Sequence, residues 1–238
     1  MTKAQNQGDN TILRLIDRIR RRKFLYLTKA LLLLIIAYPY IQGDMGGQII
    51  LSLLATFVMI MSVIAVGDKK SHTIIALILA APWFLLLLLK FPIFPIDNSL
   101  LIKDEILFAF FLFAYTTYRI FTHIIKSRDV TAEMLSASIC VYLLIGLTWA
   151  TLYVIINMLY PGSFADTDGT IVNSGADFLF FSYVTLTTVG YGDIHAVTDQ
   201  ARSLASLEAL SGQLYLTIMV ARLVGLHISK PKTKESAA

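Results

Sequence analysis

Apolar residues fall into long runs separated by short polar breaks. Runs near 24–42, 48–66, 72–90, 104–126, 134–159 and 201–226 approach or exceed the roughly 20 apolar residues that a helix rising about 1.5 Å per residue needs to cross a bilayer. A seventh run, 177–187, is too short to cross and has the length of a re-entrant segment. The breaks carry residues that stop helices: Tyr38-Pro39-Tyr40 and Gly43-Asp44, Gly67-Asp68-Lys69-Lys70, Phe91-Pro92 and Phe94-Pro95, Lys126 to Asp129, and Pro161-Gly162. Ahead of the first run, Arg14, Arg18, Arg20, Arg21, Arg22 and Lys23 interleave with Ile12, Leu13, Leu15, Ile16 and Ile19. Two readings are open there: an amphipathic helix on the inner membrane surface, or a positively charged stop signal.

Composition agrees with the pattern. Of 238 residues, 56% are hydrophobic and only 15% charged, against about 25% charged in soluble domains. The class is integral membrane, and a soluble enzyme core is a poor fit. The net charge of +4 does not point to nucleic acid, because the basic residues cap apolar runs and form no single face. Cys140 is the one cysteine, so no intrachain disulfide forms, and within an apolar run it reads as a small hydrophobe. The first run shows no small-x-small cleavage pattern and reads as a retained helix.

Lysine and arginine crowd the amino-terminal segment, the 69–70 and 126–128 loops and the carboxyl tail, while Lys90, Lys103 and Arg202 lie on the other side. By the positive-inside rule both termini are cytoplasmic and residues 160–200 face outside. The expected architecture is an all-α integral membrane fold: six transmembrane helices plus a short re-entrant helix and the loop that follows it. It divides into a basic segment 1–23, a four-helix unit 24–126, a unit 134–228 that holds the re-entrant segment, and a tail 229–238. The tail, some eleven residues beyond His227, is too short for a ligand-binding domain.

The chemistry concentrates in Asp177 to Asp193, which ends Thr187-Thr188-Val189-Gly190-Tyr191-Gly192-Asp193. It reads as a short helix entering the membrane from outside, its negative dipole end toward the centre, followed by an extended loop returning outward. A cation that sheds its water needs replacement oxygens, and backbone carbonyls supply them if they face one axis. Gly190 and Gly192 permit the unusual backbone this requires. Thr188 adds a hydroxyl at the inner end, and Val189 and Tyr191 pack behind the loop.

Thr-Val-Gly-Tyr-Gly at 188–192, set between an apolar span, an outer loop and a second apolar span, resembles the signature of the potassium channel pore-loop family. The resemblance covers about 134–228; the first four spans match a six-helix, voltage-gated-like layout of bacterial type in number and orientation alone. It implies potassium ions held at Thr188, Val189, Gly190 and Tyr191, with Gly192 closing the filter, Thr187 supporting it and Asp193 at the outer mouth. One chain offers one loop, so the resemblance implies a homotetramer, with lipid around it and permeant potassium in place of any cofactor. Gly212 falls where the family often has an inner-helix hinge glycine, the alternative being close helix packing. Gln213, Leu216, Val220 and Val224 share one helical stripe with it, assigned to the cavity and its constriction or else to packing. Val184 stands where some bacterial relatives carry a pore-helix glutamate, so that acid pair is missing.

Glu208 is an acid inside span six, where charge is costly and tends to be functional. It is expected behind the filter, bonded to Tyr183 or Thr185, unless it is a structural acid reached by outer water. In span four the triplet series from Phe110 to Arg128 holds two arginines, Arg119 and Arg128, fewer than the about three to four charges per subunit of steep gating. Weak or absent voltage sensing is expected, with Arg119 snorkelling to the inner surface. His195 near the outer mouth is either idle or a site of external pH effects. Asp166-Thr-Asp168-Gly169 begins like a calcium loop, lacks the later ligands, and reads as a polar turret. No catalytic motif is present. The expected function is passive potassium conduction across a membrane, taken to be the bacterial inner membrane. The alternative is a non-conducting subunit or sensor that keeps the pore fold.

Overall fold

The computed structural model describes residues 22–40, 45–67, 70–89 and 98–228. The expectations for the basic segment before residue 22, for Pro92 and Pro95, and for the tail lie outside them. Seven α-helices follow in order among the described residues: α1 (Lys23–Ala37), ending in a 3-10 turn at Tyr38–Tyr40, α2 (Met45–Val66), α3 (Lys70–Leu89), α4 (Asn98–Lys126), α5 (Ala132–Leu159), α6 (Gly175–Leu186) and α7 (Asp199–Ile228). They coincide with the apolar runs, the short run included. α3 continues through Pro82. Among the described residues three helices, Glu105–Lys126, Ala132–Leu159 and Asp199–Leu226, are long and apolar enough to cross a membrane; Ile50–Val66, Lys70–Leu85 and Gly175–Leu186 are shorter apolar helices.

Local chemistry sets the helix starts of α5 and α6. Thr131 caps α5 by accepting from the Met134 N–H at 3.1 Å, and Glu133 in the first turn complements the helix dipole. Ser174 caps α6 in the same way through the Ala176 N–H at 3.2 Å, with Asp177 in its first turn. α5 is the central post, packing against α1, α4, α6 and α7. Leu27 and Leu31 of α1, Leu112 and Ile124 of α4, and Cys140, Val141 and Leu144 of α5 are fully buried in the main core. A second, aromatic core lies under the loop after α5, where Phe164 meets Tyr153, Phe178 and Phe181 edge to face at 5.2–5.3 Å.

A feature the periodicity did not indicate is an antiparallel ribbon of β1 (Phe164–Asp166) and β2 (Ile194–Ala196), with Ala165 opposite His195. It ties the loop after α5 to the chain leaving the 188–192 segment. Asp166 Oδ1 accepts from the N–H groups of Asp168 (2.9 Å) and Thr170 (2.8 Å), forming a tight turn at the predicted turret.

The connection between α4 and α5 is only residues 127–131. Arg222 of α7 grips its start: Nη2 donates to the carbonyls of Ile125 and Ser127 at 2.6 Å and of Ile124 at 3.1 Å. The Ile124 and Ile125 carbonyls belong to the last turn of α4, and the Ile124 carbonyl also accepts from the Ser127 N–H at 3.0 Å; a cation at a helix carboxyl end is favourable. Bonds to charged groups contribute about 1.5–3 kcal/mol, so Arg222→Ala is expected to lower the thermal midpoint of the detergent-solubilised protein and Arg222→Lys to restore part of it. An unchanged midpoint in Arg222→Ala would show the grip to be idle.

Candidate functional site

The 188–192 loop grows out of the end of α6. The Thr188 N–H donates to the Thr185 carbonyl at 2.9 Å, and Val189 N–H to the Val184 carbonyl at 3.0 Å. Thr187 caps the helix and turns its hydroxyl back to the Tyr183 carbonyl at 2.6 Å. Beyond it the backbone alternates. Thr188, Gly190 and Gly192 have φ of +59°, +59° and +80°, whereas Val189 and Tyr191 have none of this left-handed character. The glycine positions were expected to be unusual; Thr188 was not, and a β-branched residue with positive φ is a genuine outlier. Its surroundings hold it: Gln213 Nε2 of α7 donates to Thr188 Oγ1 at 3.2 Å.

Tyr191 stacks its ring parallel to Phe180 of α6, centroids 6.2 Å apart. Within the single chain Val189 remains 53% and Tyr191 71% exposed. Between the loop, α6 and α7 is a cavity of about 340 Å³ lined in part by Val184, Thr185, Gly190, Asp193 and Arg202. Asp193 is exposed at the end of the loop, its Oδ1 accepting from the Ile194 N–H at 3.0 Å. His195 is exposed in β2.

On α7, Gly212 is buried. A Cβ there would lie 2.9 Å from Leu186 Cδ1 and closer still to the Leu186 carbonyl oxygen. Of the two readings of Gly212, close packing therefore has a visible physical cause. Leu216, Val220 and Val224 stay exposed on the chain at 39%, 58% and 52%, and Gln213 is exposed beside Thr188.

Glu208 corrects an expectation. It does reach α6, but its partners are neither Tyr183 nor Thr185. Its carboxyl is bonded by the Tyr153 hydroxyl of α5 and lies 2.5 Å from Ser182 Oγ of α6. The Tyr183 hydroxyl instead donates to the Leu143 carbonyl at 2.7 Å, because its ring lies against Gly146 of α5, where a Cβ would come within 2.8 Å of Cδ1. Just past the carboxyl end of α1, Tyr38 closes on Gly175 at the start of α6, where an added Cβ would lie 3.6 Å from the Tyr38 Cζ and nearer its hydroxyl. Neither Tyr153, Ser182 nor Tyr38 carries a motif that would have marked it in advance.

In α4, Arg119 is half-buried with its Nε buried and lacking a hydrogen-bond partner. Arg128 falls beyond the helix, in the 127–131 connection.

Residues 139–227 match the family model described as Ion channel. The match takes in most of α5, all of α6, the 188–192 loop and nearly all of α7. No curated protein and no solved structure matches the chain. Over that stretch the chain is similar to ion channels, and together with the three helices long and apolar enough to cross a membrane this supports an integral membrane protein.

Proposed function

We propose that the chain is one subunit of a homotetrameric channel that conducts potassium passively and selectively. The observation that carries this reading is the alternation of φ along Thr188-Val189-Gly190-Tyr191-Gly192. In a regular strand, successive residues face opposite ways. Alternating left- and right-handed backbone instead turns successive peptide planes alike, so that their carbonyls face one side. Four such edges around an axis replace the water that a potassium ion gives up. The carboxyl end of α6, with its partial negative charge, favours a cation at the inner end of the row.

The reading also accounts for α7. Within its apolar window only 17% is buried in the chain, against 39% for α5. Leu216, Val220 and Val224 would turn to the axis as the inner cavity and constriction, below Gln213. In this reading α1 to α4 and the pore unit give six crossings with both termini cytoplasmic, α6 and the loop dip in from outside, and Asp193 and His195 rim the outer mouth. Arg119 alone remains of the triplet series within α4, too little for steep voltage gating, since one charge gains about 2.3 kcal/mol per 100 mV.

Purified protein in planar bilayers, with unequal potassium on the two sides and sodium making up the difference, tests this. The current should reverse near the potassium equilibrium potential, and open probability should vary little with voltage. Equal permeability would reject selectivity. Silence would favour a non-conducting subunit that retains the pore fold.

A further inference from the structure

The carboxyl of Glu208 joins three helices, and counting its hydrogens gives it a definite chemical form. Glu208, Tyr153 and Ser182 are each 0% exposed. Ser182 Oγ lies 2.7 Å from the Gly146 carbonyl oxygen of α5 and 2.5 Å from Glu208 Oε1. Both fall within the range of an O–H···O bond, the second at its short end. A serine hydroxyl has one hydrogen to donate. If Glu208 were a carboxylate, both neighbours of Ser182 would be acceptors, and one of the two contacts would set oxygen lone pairs against each other. With a proton on Glu208 Oε1 every contact is used. Glu208 donates to Ser182, Ser182 donates to the Gly146 carbonyl, and Tyr153 donates to Glu208 Oε2.

The electrical surroundings agree. No basic side chain is among the partners of Glu208. The other titratable groups near it are phenols: Tyr142 and Tyr153 on α5 and Tyr183 on α6. An uncompensated buried carboxylate is strongly disfavoured, whereas a neutral carboxyl with satisfied bonds is not.

We propose that Glu208 is a neutral, proton-carrying clasp that fastens α7 to α6 and α5 behind the 188–192 loop, and so a positioning residue for conduction. Its role in conduction rests on the channel reading; its protonation does not. Ser182 lies in the last two turns of α6, and the loop hangs from Val184 and Thr185 just after it. Holding Ser182 therefore holds the base of the loop. The clasp does the work that an ion pair could do, without placing a charge next to the conduction path.

Infrared absorption of the purified protein in lipid at neutral pH tests the proton directly. The wild-type minus Glu208→Gln difference spectrum should contain the carbonyl stretch of a protonated carboxyl, shifted in deuterium oxide. In Ser182→Ala that band should move to higher frequency, because the O–H has lost its acceptor. A difference spectrum with only carboxylate bands, or a band unmoved by Ser182→Ala, would overturn the proposal. Potassium flux into liposomes tests the positioning. Glu208→Gln, whose amide can donate to Ser182 and accept from Tyr153, should keep the wild-type preference for potassium over sodium. Glu208→Ala, which strands buried hydroxyls, should lose about tenfold in selective flux. Equal loss in both variants, or none in either, would refute the clasp. Wild-type protein without potassium flux would sink the channel reading instead, and the infrared band would still decide the protonation.

Discussion

Gly190→Ala should abolish potassium-selective flux while the protein still inserts and remains folded. The cause is conformational. Gly190 has φ of +59°, and a Cβ built there meets nothing within 4 Å in its own chain, so no clash is available to explain a loss. An L-residue held in this region costs about 1–2 kcal/mol, and a fourfold assembly incurs that cost four times around one axis. The loop can relieve it by rotating the peptide, which removes a carbonyl from the row. D-alanine at Gly190, introduced by semisynthesis, prefers positive φ and should restore selective flux. Recording potassium and sodium permeability in all three proteins checks this. Undiminished selectivity in Gly190→Ala would show that the alternating backbone is not what selects the ion.

The second large effect should come from Gly212→Ala. The added methyl is aimed at the Leu186 backbone, which ends α6 and cannot swing aside as a side chain does. The Leu186 carbonyl is also approached by the Tyr142 hydroxyl at 3.4 Å. Overpacking of this kind typically costs about 1–3 kcal/mol. α7 should be pushed off the end of α6, loosening the Gln213 to Thr188 bond, and the proposed tetramer should fall apart at a lower temperature in detergent. A glycine that matters only as a hinge would behave differently: assembly would survive the substitution and opening would change. Thermal dissociation and single-channel open times, measured together, separate the two.

Much of this architecture was legible in the sequence because membrane helices announce themselves by length. An apolar run cannot stop in lipid without a proline, a glycine or a charge, and those residues bracket every run. The loop was legible because Gly190 and Gly192 mark backbone that other residues resist. Thr188 hid the same backbone behind a β-branched residue that ordinarily avoids it. The partners of Glu208 were hidden for another reason. Tyr153 and Ser182 lie 55 and 26 residues away, on two different helices, so no periodicity connects them. The bonds of Arg222 end on backbone carbonyls, which every sequence possesses and none advertises. The β1–β2 ribbon is three residues a side, too short for alternation to stand out.

The brevity of the 127–131 connection governs how an assembly of these chains responds to injury. Even fully stretched, its residues reach only about 17 Å, and Arg222 fastens its beginning to the same chain's α7. In the proposed tetramer, α1 to α4 of each protomer would thus stay beside their own quarter of the ring. In tandem-linked tetramers carrying one, two, three or four defective quarters, damage to α4 should accumulate quarter by quarter and should not depend on whether the altered copies sit side by side or across from each other.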